Sequence, residues 1–82
     1  MQINVIFINP EIFCNLKNKT YNIPEGSTVR DLLEIIKNEE KIDIKDEYLK
    51  WIVYLADGKP AHLNTVLDGV KTVHMLRAVV GG

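Results

Sequence analysis

Two short stretches near the start of the chain have the composition and the turn signals of paired β-strands. From Gln2 to Ile8 the residues are mostly β-branched or aromatic, and every second residue is apolar on one face. Asn9-Pro10 is a turn signal, and a second strand is predicted from Lys19 to Ile23, ended by Pro24-Glu25-Gly26. Because Glu11 to Asn18 is long enough only for a loop, we predict that the two strands are antiparallel neighbours.

The middle of the chain has the clearest amphipathic pattern. Four apolar residues fall on one helical face at spacings of three and four, namely Val29, Leu32, Leu33 and Ile36. Thr28 is a suitable N-cap, and Asp31 stands three residues later, as in a capping box. The pattern predicts a helix from about Val29 to Glu39.

The second half of the chain predicts further strands. Trp51 to Ala56 is apolar at every position, so the pattern indicates a strand without indicating which face is exposed. Asp57-Gly58 is a tight-turn dipeptide, Lys59 to His62 leads out of it, and Asp68-Gly69 marks another turn. A final strand is predicted from about Lys71 to Leu76.

The order of these elements indicates an α+β fold. A hairpin, a crossover helix and a last strand that returns beside the first form the β-grasp arrangement, with a mixed sheet of four to five strands and one main helix on one face. We expect a single domain over residues 1–82, with residues 77–82 as a flexible C-terminal tail.

One helix covers only one face of such a sheet. Apolar residues of the strand from Trp51 to Ala56, together with His74 and Leu76, would then form an exposed surface for a partner. The alternative is that the segment from Lys41 to Lys50, which has room for one helical turn, folds over that face.

Composition excludes several classes of function. The formal net charge of −1 gives no attraction to nucleic acid or to an acidic membrane surface. Cys14 is the single cysteine, so no intrachain disulfide forms, and the N-terminus lacks the features of a signal peptide. We therefore expect a cytoplasmic protein.

The two ends of the chain resemble a known family. The opening Met1-Gln2-Ile3-x-Val5 and the ending Val73-His74-Met75-Leu76, followed after four residues by Gly81-Gly82, resemble ubiquitin. The apolar tail, with Ala78 and Val80, resembles more closely the prokaryotic sulfur carriers of the MoaD and ThiS type. These are the small subunit of molybdopterin synthase and the sulfur carrier of thiamin biosynthesis.

Two departures from that family leave the pathway open. Leu67-Asp68-Gly69 resembles the family's approach to the tail, but Val70 stands where the family has an aspartate. Leu76-Arg77-Ala78-Val79 replaces the Pro-Pro of many molybdopterin subunits and resembles the thiamin carrier, whereas the chain length suits the molybdopterin subunit.

The resemblance implies a carrier protein rather than an enzyme. A partner enzyme related to ubiquitin-activating enzymes would use ATP to adenylate the carboxylate of Gly82, and a sulfur donor protein would then convert it to a thiocarboxylate. Gly81 would leave clearance in a narrow channel, since glycine has no Cβ. The residues expected to contact partners are Val80, Val79, Ala78, Arg77, Leu76 and His74. The partner that receives the sulfur would be a large synthase subunit or a thiazole synthase, and no bound cofactor or metal is expected.

Other functions remain open at this point. The same Gly82 could be joined to lysines of target proteins, as in a ubiquitin-like modifier, or the chain could be a β-grasp interaction module with an irrelevant tail. His62 and His74 lack metal-ligand spacing with Cys14 or with acids, and no nucleophile with its base is visible.

Overall fold

The computed structural model describes residues 1–8 and 16–77. Along the chain the elements are β1 (Gln2–Ile8), β2 (Lys19–Asn22), α1 (Val29–Glu40), α2 (Asp46–Leu49), β3 (Ile52–Ala56), β4 (Lys59–Ala61) and β5 (Thr72–Arg77). The predicted strands and the main helix are all present, and their ends differ from the expected ends by no more than one residue. The helical turn expected between Lys41 and Lys50 is α2.

The sheet has five strands in the order β2-β1-β5-β3-β4. β1 is antiparallel to β2 and parallel to β5, so the last strand lies beside the first, as the sequence predicts. β3 is antiparallel to both β5 and β4. The mixed sheet with one main helix on one face confirms the predicted β-grasp arrangement.

Helix α1 begins at a reciprocal capping box. The backbone N–H of Asp31 donates to the Thr28 hydroxyl at 3.3 Å, and the backbone N–H of Thr28 donates to the Asp31 carboxylate at 2.9 Å. Each bond satisfies a backbone N–H that the helix itself leaves unpaired. The helix ends at Glu40 and is capped by Lys41, whose left-handed backbone directs its N–H to the carbonyl of Lys37.

The core lies between α1 and one face of the sheet. The whole apolar stripe of the helix is buried. It packs within one cluster with alternate strand residues, among them Ile3, Val5, Val73 and Met75. The segment between α1 and β3 adds Ile44 to this cluster, so it lies on the same side of the sheet as the helix.

A two-residue turn joins β3 to β4. Asp57 and Gly58 have φ values of +50° and +83°. Positive φ at both central residues matches the twist of the flanking strands, and glycine adopts this conformation without a steric cost. The Asp-Gly dipeptide therefore forms the hairpin turn that the sequence predicts.

Candidate functional site: the outer face of the sheet

The face of the sheet opposite α1, here called the outer face, is formed by residues that alternate with the core residues along each strand. By strand register its members are Gln2, Asn4, Ile6, Ile8, Thr20, Asn22, Val53, Leu55, Pro60, Thr72, His74 and Leu76. Six of these are apolar, and they lie together on β1, β5, β3 and β4. The outer face thus has a continuous apolar region rather than scattered apolar side chains.

Strand β5 forms the centre of that apolar region. His74 lies opposite Ile6 on one side and Leu55 on the other. One step further along the face, Leu76 lies between Ile8 and Val53. The sequence prediction that His74 and Leu76 share a face with part of the strand from Trp51 to Ala56 is confirmed, and the shared residues are Val53 and Leu55.

The outer face is exposed at the end where β1 and β5 finish. Val53 is 38% exposed and Ile8 is 41% exposed, while Trp51, immediately before β3, is 42% exposed. The alternative that the segment from Lys41 to Lys50 covers this face is wrong, because Ile44 anchors that segment in the core on the other side of the sheet. An apolar surface left open in this way is typical of a site for a protein partner.

The outer face also lacks formal charge. None of the strand residues that form it is a lysine, an arginine, an aspartate or a glutamate, although the chain has 10 basic and 11 acidic residues. A partner can therefore cover this face without desolvating a charged side chain. The arrangement favours an apolar contact whose strength depends little on salt.

His74 is the single titratable side chain on this face. It is half-buried between its apolar neighbours, and its Nδ1 is buried without a hydrogen-bond partner in the described part of the chain. A buried ring nitrogen without a hydrogen-bond partner lowers stability.

Strand β5 ends where the apolar face is most exposed. Arg77 is the last residue of β5 and pairs with Ile52 at the start of β3, while Ile8 ends the parallel strand β1. Arg77, expected as the first residue of the tail, is thus still part of the sheet, because the ladder with β3 extends one residue beyond the expected end. Its register places it on the helix side, unlike Leu76.

The remaining expected site residues lie outside the described residues. These are Ala78, Val79, Val80, Gly81 and Gly82. Of the predicted partner contacts, the structure brings together His74 and Leu76 on the outer face and places Arg77 at its end. The roles assigned to Gly81 and Gly82 stay predictions.

Asp57 positions the start of β5, a role that the sequence pattern does not reveal. Its carboxylate accepts hydrogen bonds from the backbone N–H groups of Lys71 and Thr72, at 3.1 and 3.0 Å. These bonds fix the entry of the strand that leads to the C-terminus. The nearest signal in the sequence is the acidic first residue of the Asp57-Gly58 turn, since short polar side chains often bond to backbone groups near turns.

Residues 1–8 and 16–77 contain no group of three or more His, Cys, Asp or Glu side chains that could hold a metal ion. No helix in these two ranges has the length and apolar character needed to cross a bilayer. Cys14 lies outside the described residues, and His62 is an exposed residue after β4.

Comparisons with known proteins agree with this architecture. No protein-family model matches the sequence, and no curated protein sequence gives a significant match. SAMP1 from Haloferax volcanii matches in structure with a TM-score of 0.71 and 15% identity, over 100% of both chains. A protein described as molybdopterin converting factor, subunit 1, from Pyrococcus furiosus matches with a TM-score of 0.66 and 19% identity, over 96% of this chain and 99% of that one. With its five-stranded mixed sheet and single main helix, the chain has the β-grasp fold of ubiquitin-like proteins.

Proposed function

We propose that this chain is a sulfur carrier that donates sulfur in molybdopterin biosynthesis from a thiocarboxylate at Gly82. The observation on which the proposal rests is the open, uncharged apolar face that ends where β5 leads to the Gly81-Gly82 terminus. The structural likeness to a molybdopterin converting factor subunit supports the same class of function.

The chemistry needs an activated carboxyl group. The carboxylate oxygen of Gly82 attacks the α-phosphorus of ATP, and pyrophosphate leaves. A sulfide or persulfide sulfur from a donor protein then attacks the acyl carbon, and AMP leaves with the oxygen. A persulfide donor gives a mixed acyl disulfide, which a thiol of the partner reduces to the thiocarboxylate. The catalytic groups for these steps belong to the partner enzyme, and the carrier supplies the acyl group and the docking surface.

The docking surface and the terminus are close enough to act together. Residues 77–82 span at most roughly 20 Å when extended at about 3.3 Å per residue. A partner that covers Ile8, Val53 and Leu76 therefore has Gly82 within reach of an active site at or near the same interface. Since the apolar face lacks charge, the partner surface is expected to be apolar there as well. The large subunit of a synthase would use the same face when it receives the sulfur.

Mass spectrometry of the intact protein tests the proposal. Incubation with the adenylating enzyme of the same source, ATP and sulfide should replace one oxygen by sulfur at the C-terminus. A variant lacking Gly82 should show no exchange, although it folds and binds the enzyme. No exchange in the wild-type chain, in a mixture in which binding has been demonstrated, would overturn the proposal.

A modifier function is the second candidate. SAMP1, which matches this chain in structure, is a ubiquitin-like small archaeal modifier. The same acyl adenylate would then be attacked by a lysine amine, which gives an isopeptide bond and releases AMP. Isopeptide-linked Gly82 in tryptic peptides from cells would establish conjugation, and its absence alongside a detectable thiocarboxylate would favour the carrier.

A further inference from the structure

A recess of about 380 Å³ opens on the helix side of the sheet, away from the outer face. Its floor includes Ile52, Tyr54 and Ala61, which are buried residues of β3 and β4. Leu49 and Leu63 line its walls. The volume falls within the range of small-ligand pockets, roughly 300–1,000 Å³, so a compact group with an apolar body fits it.

The basic residues of this recess have no counter-charge within it. Arg30, Lys50 and His62 line it, and none of its lining residues is acidic. Within the described ranges, ion pairs form only from Lys19 to Glu40 and from Lys37 to Glu34. Among the described residues, Arg30, Lys50 and His62 therefore form no ion pair.

The floor of the recess also has an unused donor. The Tyr54 hydroxyl is buried and has no hydrogen-bond partner among the described residues. Burial raises the pKa of Tyr54 to about 12, and the charge of Arg30, which lines the same recess, acts in the opposite direction. At neutral pH the hydroxyl keeps its proton and is able to donate it to a hydrogen bond.

We propose that this recess binds a carboxylate carried on an apolar stem. The carboxylate pairs with Arg30, with Lys50 at the mouth, and the stem packs on Leu49 and Leu63. A small rearrangement on binding brings the carboxylate to the Tyr54 hydroxyl, which is buried in the free chain. An apolar floor with one neutral donor suits a singly charged group. The inference does not depend on Gly82 or on the outer face, so it goes beyond the proposed function.

A titration followed by ¹H–¹⁵N NMR tests the site on the purified chain. The probe is 4-methylpentanoate, and its uncharged match is 4-methylpentanamide. We expect shifts confined to residues around the recess and an affinity for the acid at least about tenfold above that for the amide. The proposal would be overturned if the acid and the amide bound equally well. It would also be overturned if chemical shifts changed only away from the recess, or did not change at the highest soluble concentration of the acid.

A second pair of probes identifies the source of the carboxylate. The peptide acetyl-Leu-Glu-Leu-amide is compared with the same peptide containing glutamine. Binding of the glutamate peptide to the recess supports the proposal with an acidic side chain of a protein as the ligand. Binding of the free acid alone supports it with a small carboxylic acid as the ligand.

Two variants test the assigned contacts. Arg30→Gln should weaken binding of 4-methylpentanoate by about tenfold, and Tyr54→Phe by about fivefold. Tyr54→Phe removes a hydroxyl without a partner, so the fold should keep its stability. Lys71→Gln and Tyr48→Phe make the matched changes away from the recess and should bind as the wild type does. Wild-type affinity in both recess variants would overturn the proposal.

Discussion

The carboxylate of Asp57 accepts the backbone N–H of Thr72 at 3.0 Å, and the backbone N–H of Asp57 donates to the Thr72 carbonyl at 2.8 Å. A third bond, from the backbone N–H of Lys71 to the same carboxylate at 3.1 Å, completes the connection. The turn between β3 and β4 is thus joined to the first residue of β5. Residues fifteen positions apart in the chain fix the strand that leads to the C-terminus.

Asp57→Ala should lower the free energy of unfolding by about 1–3 kcal/mol, since two backbone donors lose a charged acceptor. Alanine also tolerates a φ of +50° less well than aspartate does. Asp57→Asn keeps one acceptor oxygen and should lower the free energy of unfolding by less than Asp57→Ala does. Urea denaturation measures the effect, with Asp43→Ala at an exposed position as the control. If Asp57→Ala lowered the free energy of unfolding by less than about 0.5 kcal/mol, these hydrogen bonds would contribute nothing to stability.

The capping box of α1 gives a second stability prediction. Thr28→Ala should lower the free energy of unfolding by about 1 kcal/mol, because the backbone N–H of Asp31 loses its acceptor at the helix start. Thr28→Ser keeps the hydroxyl and serves as the matched control. A double-mutant cycle with Asp31→Ala should show that the two changes are not additive, because both side chains belong to one reciprocal arrangement. Additive changes would mean that the two bonds form independently.

The outer face gives a prediction on activity. Val53→Glu places a charge among apolar residues that a partner must cover, so docking requires its desolvation. The rate of thiocarboxylate formation with the adenylating enzyme should fall by about tenfold or more. Thermal unfolding should stay near that of the wild type, since Val53 is 38% exposed. Gln2→Glu adds the same charge on the same face, away from the apolar region, and should react normally; equal rates in the two variants would refute docking at Val53.

The buried tyrosines predict a loss of stability at alkaline pH. Burial raises the pKa of Tyr54 from 10.0 to about 12 in the folded chain. Because the folded value lies above the unfolded one, this contribution to stability is complete below pH 10 and is lost as the pH rises toward 12. The pKa of Tyr21 is raised to about 12 as well, by burial and then by Glu40 and Glu39.

Urea denaturation at about pH 9 and about pH 11 tests this dependence. Between these values the wild type should lose more stability than Tyr54→Phe, which has no phenol to ionise at this position. Tyr48→Phe, at an exposed position on α2, should lose as much as the wild type. If Tyr54→Phe and the wild type lost the same stability between the two pH values, Tyr54 would not contribute to the loss of stability at alkaline pH.

Local patterns in the sequence account for much of the fold. The alternation from Gln2 to Ile8 and the stripe on α1 both predict the residues that the structure buries, because strand and helix periods are set by the backbone itself. Thr28 and Asp31 are three residues apart, so their reciprocal bonds are readable from spacing alone. Contacts between residues so close in the sequence require only that the local helix or strand forms.

Contacts between residues far apart in the sequence cannot be predicted from such local patterns. Trp51 to Ala56 is apolar at each position, so periodicity cannot tell which face meets α1, and the burial of Ile52 and Tyr54 is decided by the whole sheet. The recess joins Arg30 on α1 to His62 after β4, and no spacing in the sequence predicts that meeting. The bond from Thr72 to Asp57 likewise forms only after the strand order is set.

The central place of β5 has a mechanical consequence. A partner that draws the C-terminus into a narrow channel pulls along β5, which is hydrogen-bonded to β1 on one side and to β3 on the other. Such a pull loads both ladders in shear, so many bonds share the force at once instead of opening one after another. Under the proposed function, the sheet would therefore resist unravelling while a partner holds the last residues.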